Sequence, residues 1–186
     1  MKVKVEVSNR HIHLTKETYD QLFNEEIGKI KDLSQLGQFV SDKVVTLKTD
    51  KYEIENVKLL GPLRSYDQIE ISKTDARKFG INPPVRASGD LEGAETIIIK
   101  TPKKEIAIKG CIIAQRHIHM NTETSEKLGL KDKQKVTIKV LGDKSGFLDA
   151  YVKVSSDGVF VAHVDNDDGN SFLIENNDEL ELFKLD

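Results

Sequence analysis

Two stretches of this chain, "SNRHIHLT" at positions 8–15 and "QRHIHMN" at 115–121, both spell Arg-His-Ile-His. The chain has five histidines, and the two quartets use four of them: His11, His13, His117 and His119. Only His163 lies elsewhere. In a strand, residues i and i+2 project from one face about 7 Å apart, so each His-Ile-His can aim two imidazoles at one ion while its isoleucine packs inward. A single His-x-His is as often an ordinary surface or core pair, but two identical copies point to metal binding. Two imidazoles do not fill a coordination sphere, and each pair needs a third ligand. His163 in "FVAHVDND" is one candidate. Glu70 in "QIEIS" is another, sharing a strand face with Gln68 and Ser72, although by pattern alone it reads as a solvated strand residue. Glu17 and Glu123, each four positions after a second histidine, compete for the same role. A carboxylate in the first turn of a helix has an equally plain explanation in the macrodipole. Histidine and carboxylate donors without a thiolate suit Zn²⁺ first, with Mn²⁺, Fe²⁺, Co²⁺ or Ni²⁺ as alternatives.

Arginines stand close to these motifs. Arg64 follows a Gly-Pro turn in "GPLRSYDQIE", Arg86 and Ser88 lie in the proline-stiffened "PPVRASGD", and Arg10 and Arg116 open the two quartets. A guanidinium beside a metal makes a site for phosphate or carboxylate, because bidentate charge-assisted bonds fit those oxyanions. Near turns, arginines also simply solvate the chain.

The elements that must position these residues are mostly strands. Ten short segments rich in Val, Ile and Thr, among them "KVKVEV", "KVVTLKT", "TIIIK", "KVTIKVL" and "ELELFKL", alternate with period two or run apolar between turns. That pattern predicts β-barrels or sandwiches. Helical signals are few: Thr15 caps a helix through "KETYDQLF", Asn121 or Thr122 one through "ETSEKLG", and Thr74 one through "DARKFG", with Gly129 and Gly80 as stops. Two of the three follow an Arg-His-Ile-His directly. The repeated unit is therefore a strand, a polar cap and a short helix, which predicts a mainly β, internally duplicated chain of two barrels capped by short helices. The polar stretch from Asn24 to Gln38 is the best candidate for an excursion.

Composition narrows the function classes. At 186 residues with 38% hydrophobic residues the chain can bury a core, and no apolar run reaches the length of a membrane span. A net charge of −3 from 28 basic and 31 acidic residues mixed along the chain leaves no broad basic face for nucleic acid. One cysteine, Cys111, excludes a disulfide framework and a cysteine-based zinc site. The strand-like N-terminus is not a signal peptide, which predicts an intracellular protein.

With these residues in view, the chain resembles the phosphate propanoyltransferases, the PduL-type phosphate acyltransferases. The resemblance runs from "VSNRHIHLT" through "DLSQLGQFVSDKVVTL", "IENVKLLGPLRSYDQIEISKTDARKFGINPPVRASGD" and "AQRHIHM" to "HVDNDDGN". It implies one zinc on His11, His13 and Glu70 and a second on His117, His119 and His163. It further implies Arg64 and Ser88 as phosphate-binding, catalytic residues. Coenzyme A is implied along Val7, Ser8, Asn9 and Asn170, with Lys51 and Lys58 as basic contacts. The implied fold is one barrel from 1–9 with 115–186 and another from 10–114, with a small excursion around 24–44, assembled as a homodimer or larger. The reaction implied is acyl-CoA plus phosphate to acyl phosphate plus coenzyme A, with propanoyl or acetyl as the acyl group. The first zinc would serve the thiol, and the second, with Arg64 and Ser88, the phosphate.

The chain departs from the family pattern in "HVDNDDGN", where Asp168 and Gly169 stand for the usual Glu and Ala. Family members in bacterial microcompartments often carry an N-terminal amphipathic extension, which this chain does not display, so a cytoplasmic enzyme is expected. Two other readings fit the residues less well. A cupin-type metal enzyme would want a later histidine for each pair, and only His163 exists. A non-catalytic, zinc-stabilised binding module would be indifferent to loss of Arg64.

Overall fold

The computed structural model describes residues 1–184. In chain order the elements are β1 (Lys2–Ser8), β2 (His11–His13), α1 (Lys16–Leu22), β3 (Lys29–Asp32), β4 (Phe39–Lys48), β5 (Glu53–Gly61), β6 (Gln68–Glu70), α2 (Lys73–Phe79), β7 (Val85–Arg86), β8 (Glu95–Lys100), β9 (Glu105–Ala114), β10 (His117–Met120), α3 (Thr122–Leu128), β11 (Lys135–Val140), β12 (Gly146–Val154), β13 (Val161–Asp165), α4 (Asn166–Phe172) and β14 (Glu179–Lys184). The chain divides into two compact units, Met1–Asn9 with Gln115–Asp186, and Arg10–Ala114. Each is a closed ring of six strands.

In the unit Arg10–Ala114 the ring runs β9, β6, β2, β5, β4, β8 and back to β9. The pairs β9–β6 and β2–β5 are parallel and the other four antiparallel. In the other unit the ring runs β1, β13, β10, β12, β11, β14, with β1–β13 and β10–β12 parallel and the rest antiparallel. The two rings therefore share one wiring, each built round an Arg-His-Ile-His strand. The strand preceding each quartet belongs to the other ring: β1 leads into β2 but pairs with β13 and β14, and β9 leads into β10 but pairs with β6 and β8.

Alternation in the sequence becomes inside and outside of these rings. Val3 and Val5 of β1 join Ile118, Met120, Val136, Ile138, Val152 and Val164 in one core. Ile12, Leu47, Leu59, Ile69, Ile97 and Ile99 form the other with Phe79 of α2 and Leu22 of α1. Closure satisfies every strand edge within the ring, which removes the unpaired N–H and C=O rows an open sheet would present. Ile12 and Ile118, the middle residues of the two His-Ile-His runs, are both fully buried. Truncating either to Ala removes an anchor worth about 2–5 kcal/mol, and holding them inward sends the flanking histidines to the outer face.

The caps follow local chemistry. Thr15 and Asn121 accept from the N–H groups of Thr18 and Thr124, and Gly80 and Gly129 end their helices at φ 70° and 58°. Of the cap expected at Thr74, the structure makes a residue inside the first turn: Ser72 is the cap, accepting from Asp75 N. A helix α4 over "NDDGNSF", not anticipated, is capped by Asp165, which accepts from Asp168 N. Of the stretch 24–44, only the part up to Gln38 stands outside the ring, because Phe39–Lys48 is one strand paired with β5. No helix among the described residues is long and apolar enough to cross a membrane.

Candidate metal centres and anion site

Register brings the first three donors together. β2 runs antiparallel to β6, setting His11 opposite Glu70 and His13 opposite Gln68. His11, His13 and Glu70 then offer ligand atoms that all lie within 4.8 Å of one another. His11 Nε2 is 3.4 Å from Glu70 Oε2. In the other unit β10 runs antiparallel to β13, setting His117 opposite His163, and His117, His119 and His163 form a second cluster with the same 4.8 Å limit. Glu70 and His163 occupy equivalent places in the two rings.

The state of the imidazoles fits a cation. His117 Nδ1 is 2.8 Å from Gln115 O, and since a carbonyl only accepts, Nδ1 carries the proton and Nε2 the lone pair. That Nε2 faces His119 Nε2 at 3.1 Å. Burial holds the His13 pKa well below its usual value, reinforced by His11 and Arg64 and opposed by Glu70. A neutral imidazole is the form that ligates. Among the described residues, His13 Nδ1 and His163 Nε2 are buried without a hydrogen-bond partner, one in each cluster. An orphaned buried nitrogen costs about 1–3 kcal/mol, and an ion bound by the cluster would satisfy it. The donor sets therefore fit a metal, and His₂Glu and His₃ without thiolate fit zinc.

Beside the first cluster lies a polar chain. Gln68 donates from Nε2 to Glu70 Oε1 at 2.6 Å and to Ser88 Oγ at 3.0 Å, and its Oε1 accepts from Gly89 N at 2.8 Å. Arg64 donates from Nη1 to Ser88 Oγ at 3.1 Å and to Tyr66 Oη at 2.8 Å, and from Nη2 to Gln38 Oε1 at 3.4 Å. All its side-chain acceptors are neutral. The other arginines of interest are engaged: Arg10 with the buried Asp75 at 2.6 Å, Arg116 with Asp168 at 2.7 Å, and Arg86 with Glu92 O at 3.0 Å and Asp90 at 3.5 Å. Arg64 alone of these keeps an uncompensated charge, and it sits in the unit of the first cluster. The Arg64–Ser88–Gln68–Glu70 bonds tie Arg64 and Ser88 to the first cluster.

The remaining expected residues spread more widely. Val7 and Asn170 line a cavity of about 390 Å³ with Asn166, Gly169, Ile174, Glu175 and Asn176. Val7 N donates to Asn176 Oδ1, and Asn166 donates to Asn9 Oδ1. A Cβ at Gly169 would stand 2.9 Å from Val7 Cγ1, so glycine in place of the family's alanine leaves room there. Asp168, the second departure, receives both bonds from Arg116. Lys58 is the register neighbour of His11, whereas Lys51 lies in the β4–β5 turn against Gly80. Seven positions at about 3.3 Å per residue separate these two lysines, so they do not converge on one group. Glu17 and Glu123 are exposed in helix first turns and belong to neither cluster. Tyr66, Gln68 and Asp67, which accepts from Thr15 N and Thr18 Oγ1, were not anticipated. The only sequence signal for Gln68 is that it shares a strand face with Glu70.

A barrel bearing a three-donor cluster beside an uncompensated arginine has the chemistry to hold an oxyanion. The family model described as phosphate propanoyltransferase matches residues 4–175. The chain is 44% identical over 179 residues to the phosphate propanoyltransferase of Thermotoga maritima, covering 94% of this chain and 85% of that one. It is 46% identical to the one from Alkaliphilus metalliredigens over 92% and 82% of the two chains, and 41% to that of Salmonella typhimurium over 91% and 83%. The chain belongs to the phosphate propanoyltransferase family and is an acyltransferase.

Proposed function

We propose that the chain interconverts a short-chain acyl-CoA plus phosphate with acyl phosphate plus coenzyme A, propanoyl or acetyl being the acyl group, with one zinc held by His11, His13 and Glu70 and a second by His117, His119 and His163. In the forward direction a phosphate oxygen attacks the thioester carbonyl, the C–O bond forms, the C–S bond breaks, and coenzyme A leaves as thiolate. Zinc bound at these clusters lowers the pKa of a coordinated thiol and polarises coordinated oxygens.

The chain's own residues do the holding. Arg64 presents its forked donors to the phosphoryl oxygens, and Ser88 adds a hydroxyl donor next to it. Gln68 fixes both Ser88 and the Glu70 carboxylate, so the anion site and the first cluster keep one geometry. Coenzyme A lies along Val7, Ser8 and Asn9 near Asn170, with Lys51 and Lys58 as its basic contacts. Assembly as a homodimer or larger, in the cytoplasm or a microcompartment, belongs to the same reading.

The observation that carries the proposal is Arg64, charged and without an acidic partner, hydrogen-bonded through Ser88 and Gln68 to the Glu70 carboxylate of the first cluster. Release of thiol from propanoyl-CoA and acetyl-CoA on adding phosphate tests it. Arg64→Ala should lower kcat/KM for phosphate about 10²–10³-fold with metal content unchanged. A protein that releases no thiol when metal-loaded, or that is indifferent to Arg64, would refute the assignment.

A further inference from the structure

The outer face of β1 reads Lys2, Lys4, Glu6 between the inward valines, and register sets Glu6 directly beside His163 of the parallel β13. Glu6 Oε2 lies 3.3 Å from His163 Nε2, yet that buried nitrogen has no aligned hydrogen bond. An imidazole N–H bonded to a carboxylate points along the line between them. Close approach without that alignment is how two donors stand when both aim at a third point. Two ligands of a tetrahedral ion at about 2.0–2.1 Å are about 3.3 Å apart. In the other ring, the recognised cluster members His11 and Glu70 stand 3.4 Å apart, donor atom to donor atom.

We infer that Glu6 is a fourth protein donor of the second metal centre, a carboxylate arm that fills its remaining position until a substrate oxyanion displaces it. The inference rests on reading His117, His119 and His163 as a metal centre. Those three imidazoles form the tight cluster, and Glu6 stands at its edge beside His163 with a side chain 33% exposed, able to turn in or give way. Three neutral imidazoles leave a dication's charge intact, and a carboxylate halves it, which is the interaction an incoming phosphate must match. Among the described residues, the first centre has no such arm at the equivalent position. The place corresponding to Glu6 in its ring, beside Glu70 in the parallel β9, is held by Ile112. One centre therefore keeps a position open for a reactant, and the other carries its own stopper.

Cobalt(II) gives a readout independent of turnover, since its visible spectrum reports coordination number and donor set. In full-length protein carrying His11→Ala, only the second cluster holds cobalt. There the near-isosteric Glu6→Gln should shift the visible bands and loosen cobalt about 10–100-fold in chelator competition. Inorganic phosphate should perturb the Glu6→Gln spectrum at lower concentration than its parent's, because no carboxylate competes. Unchanged affinity, or loosened binding with an unchanged spectrum, would overturn direct coordination by Glu6 while leaving the metal centre intact. Undiminished cobalt binding after His119→Ala in the same background would instead remove the centre itself, and the Glu6 proposal with it.

Discussion

At the scale of single residues, the histidines were legible because the chain spends four of five on one repeated quartet. Glu6 was not, since one acidic residue in an alternating strand has the pattern of a solvated face. Two predictions belong here. His13 has a pKa held below 6.5, chiefly by burial, so in the metal-free protein the folded state refuses a proton that the unfolded chain accepts. Stability contributed by neutral His13 is present above pH 6.5 and is lost as pH falls through and below it. The melting temperature of metal-free protein should decline over that window, and His13→Gln should flatten the decline. Cys111, fully buried in β9, has its thiol pushed up to about 12 by burial and by the nearby Glu95. It should not react with a disulfide reagent in the native state and should titrate as one thiol per chain in denaturant, so thiol detected in an assay of the proposed reaction does not come from the protein.

At the scale of elements, the site depends on how closely β6 and β9 approach. A Cβ at Gly110 would stand 2.3 Å from the backbone carbonyl oxygen of Asp67, which cannot swing aside as a side chain does. Gly110→Ala should push the start of β6 away from β9, shifting Gln68 and Glu70. The expected outcome is a loss of about 1–3 kcal/mol by denaturant titration and loss of the metal proposed at His11, His13 and Glu70 by elemental analysis, with its retention as the contrary result. Capping chemistry made α1 and α3 legible from Thr15 and Asn121. It hid α4, whose Asp-Asp-Gly core reads as a loop until Asp165 is seen capping it. The Arg64–Ser88–Gln68 chain was half legible: its charged end stood out, but an amide that joins it to Glu70 looks in sequence like any polar strand residue.

At the scale of the whole molecule, period-two alternation was enough for a mainly β barrel fold, because it reports which side of a strand is buried. It says nothing of which strands close a ring, since pairing partners as distant as Val3 and Leu180 leave no local trace. In the ring that β1 completes, its start adjoins β14: the Met1 amine donates to Leu182 O at 3.3 Å. A permuted chain joining 115–186 through a short flexible linker to 1–9 should therefore fold as an independent barrel and unfold cooperatively. The segment 115–186 alone, with β13 and β14 left as bare edges, should aggregate or stay unfolded. Equal cooperativity of the two in thermal melts would show β1 to be dispensable. The same wiring sets a timetable for biosynthesis. The ring of 10–114 is complete once its last residue has left the ribosome. β1 is made before either strand it pairs with, and those come some 160–180 residues later, a delay of roughly 10–35 s at ordinary translation speeds. Until then its valines lack the partners they have in the finished ring, and the charges of Lys2, Lys4 and Glu6 on its other face are of the kind that discourages an unpaired strand from joining a neighbouring polypeptide.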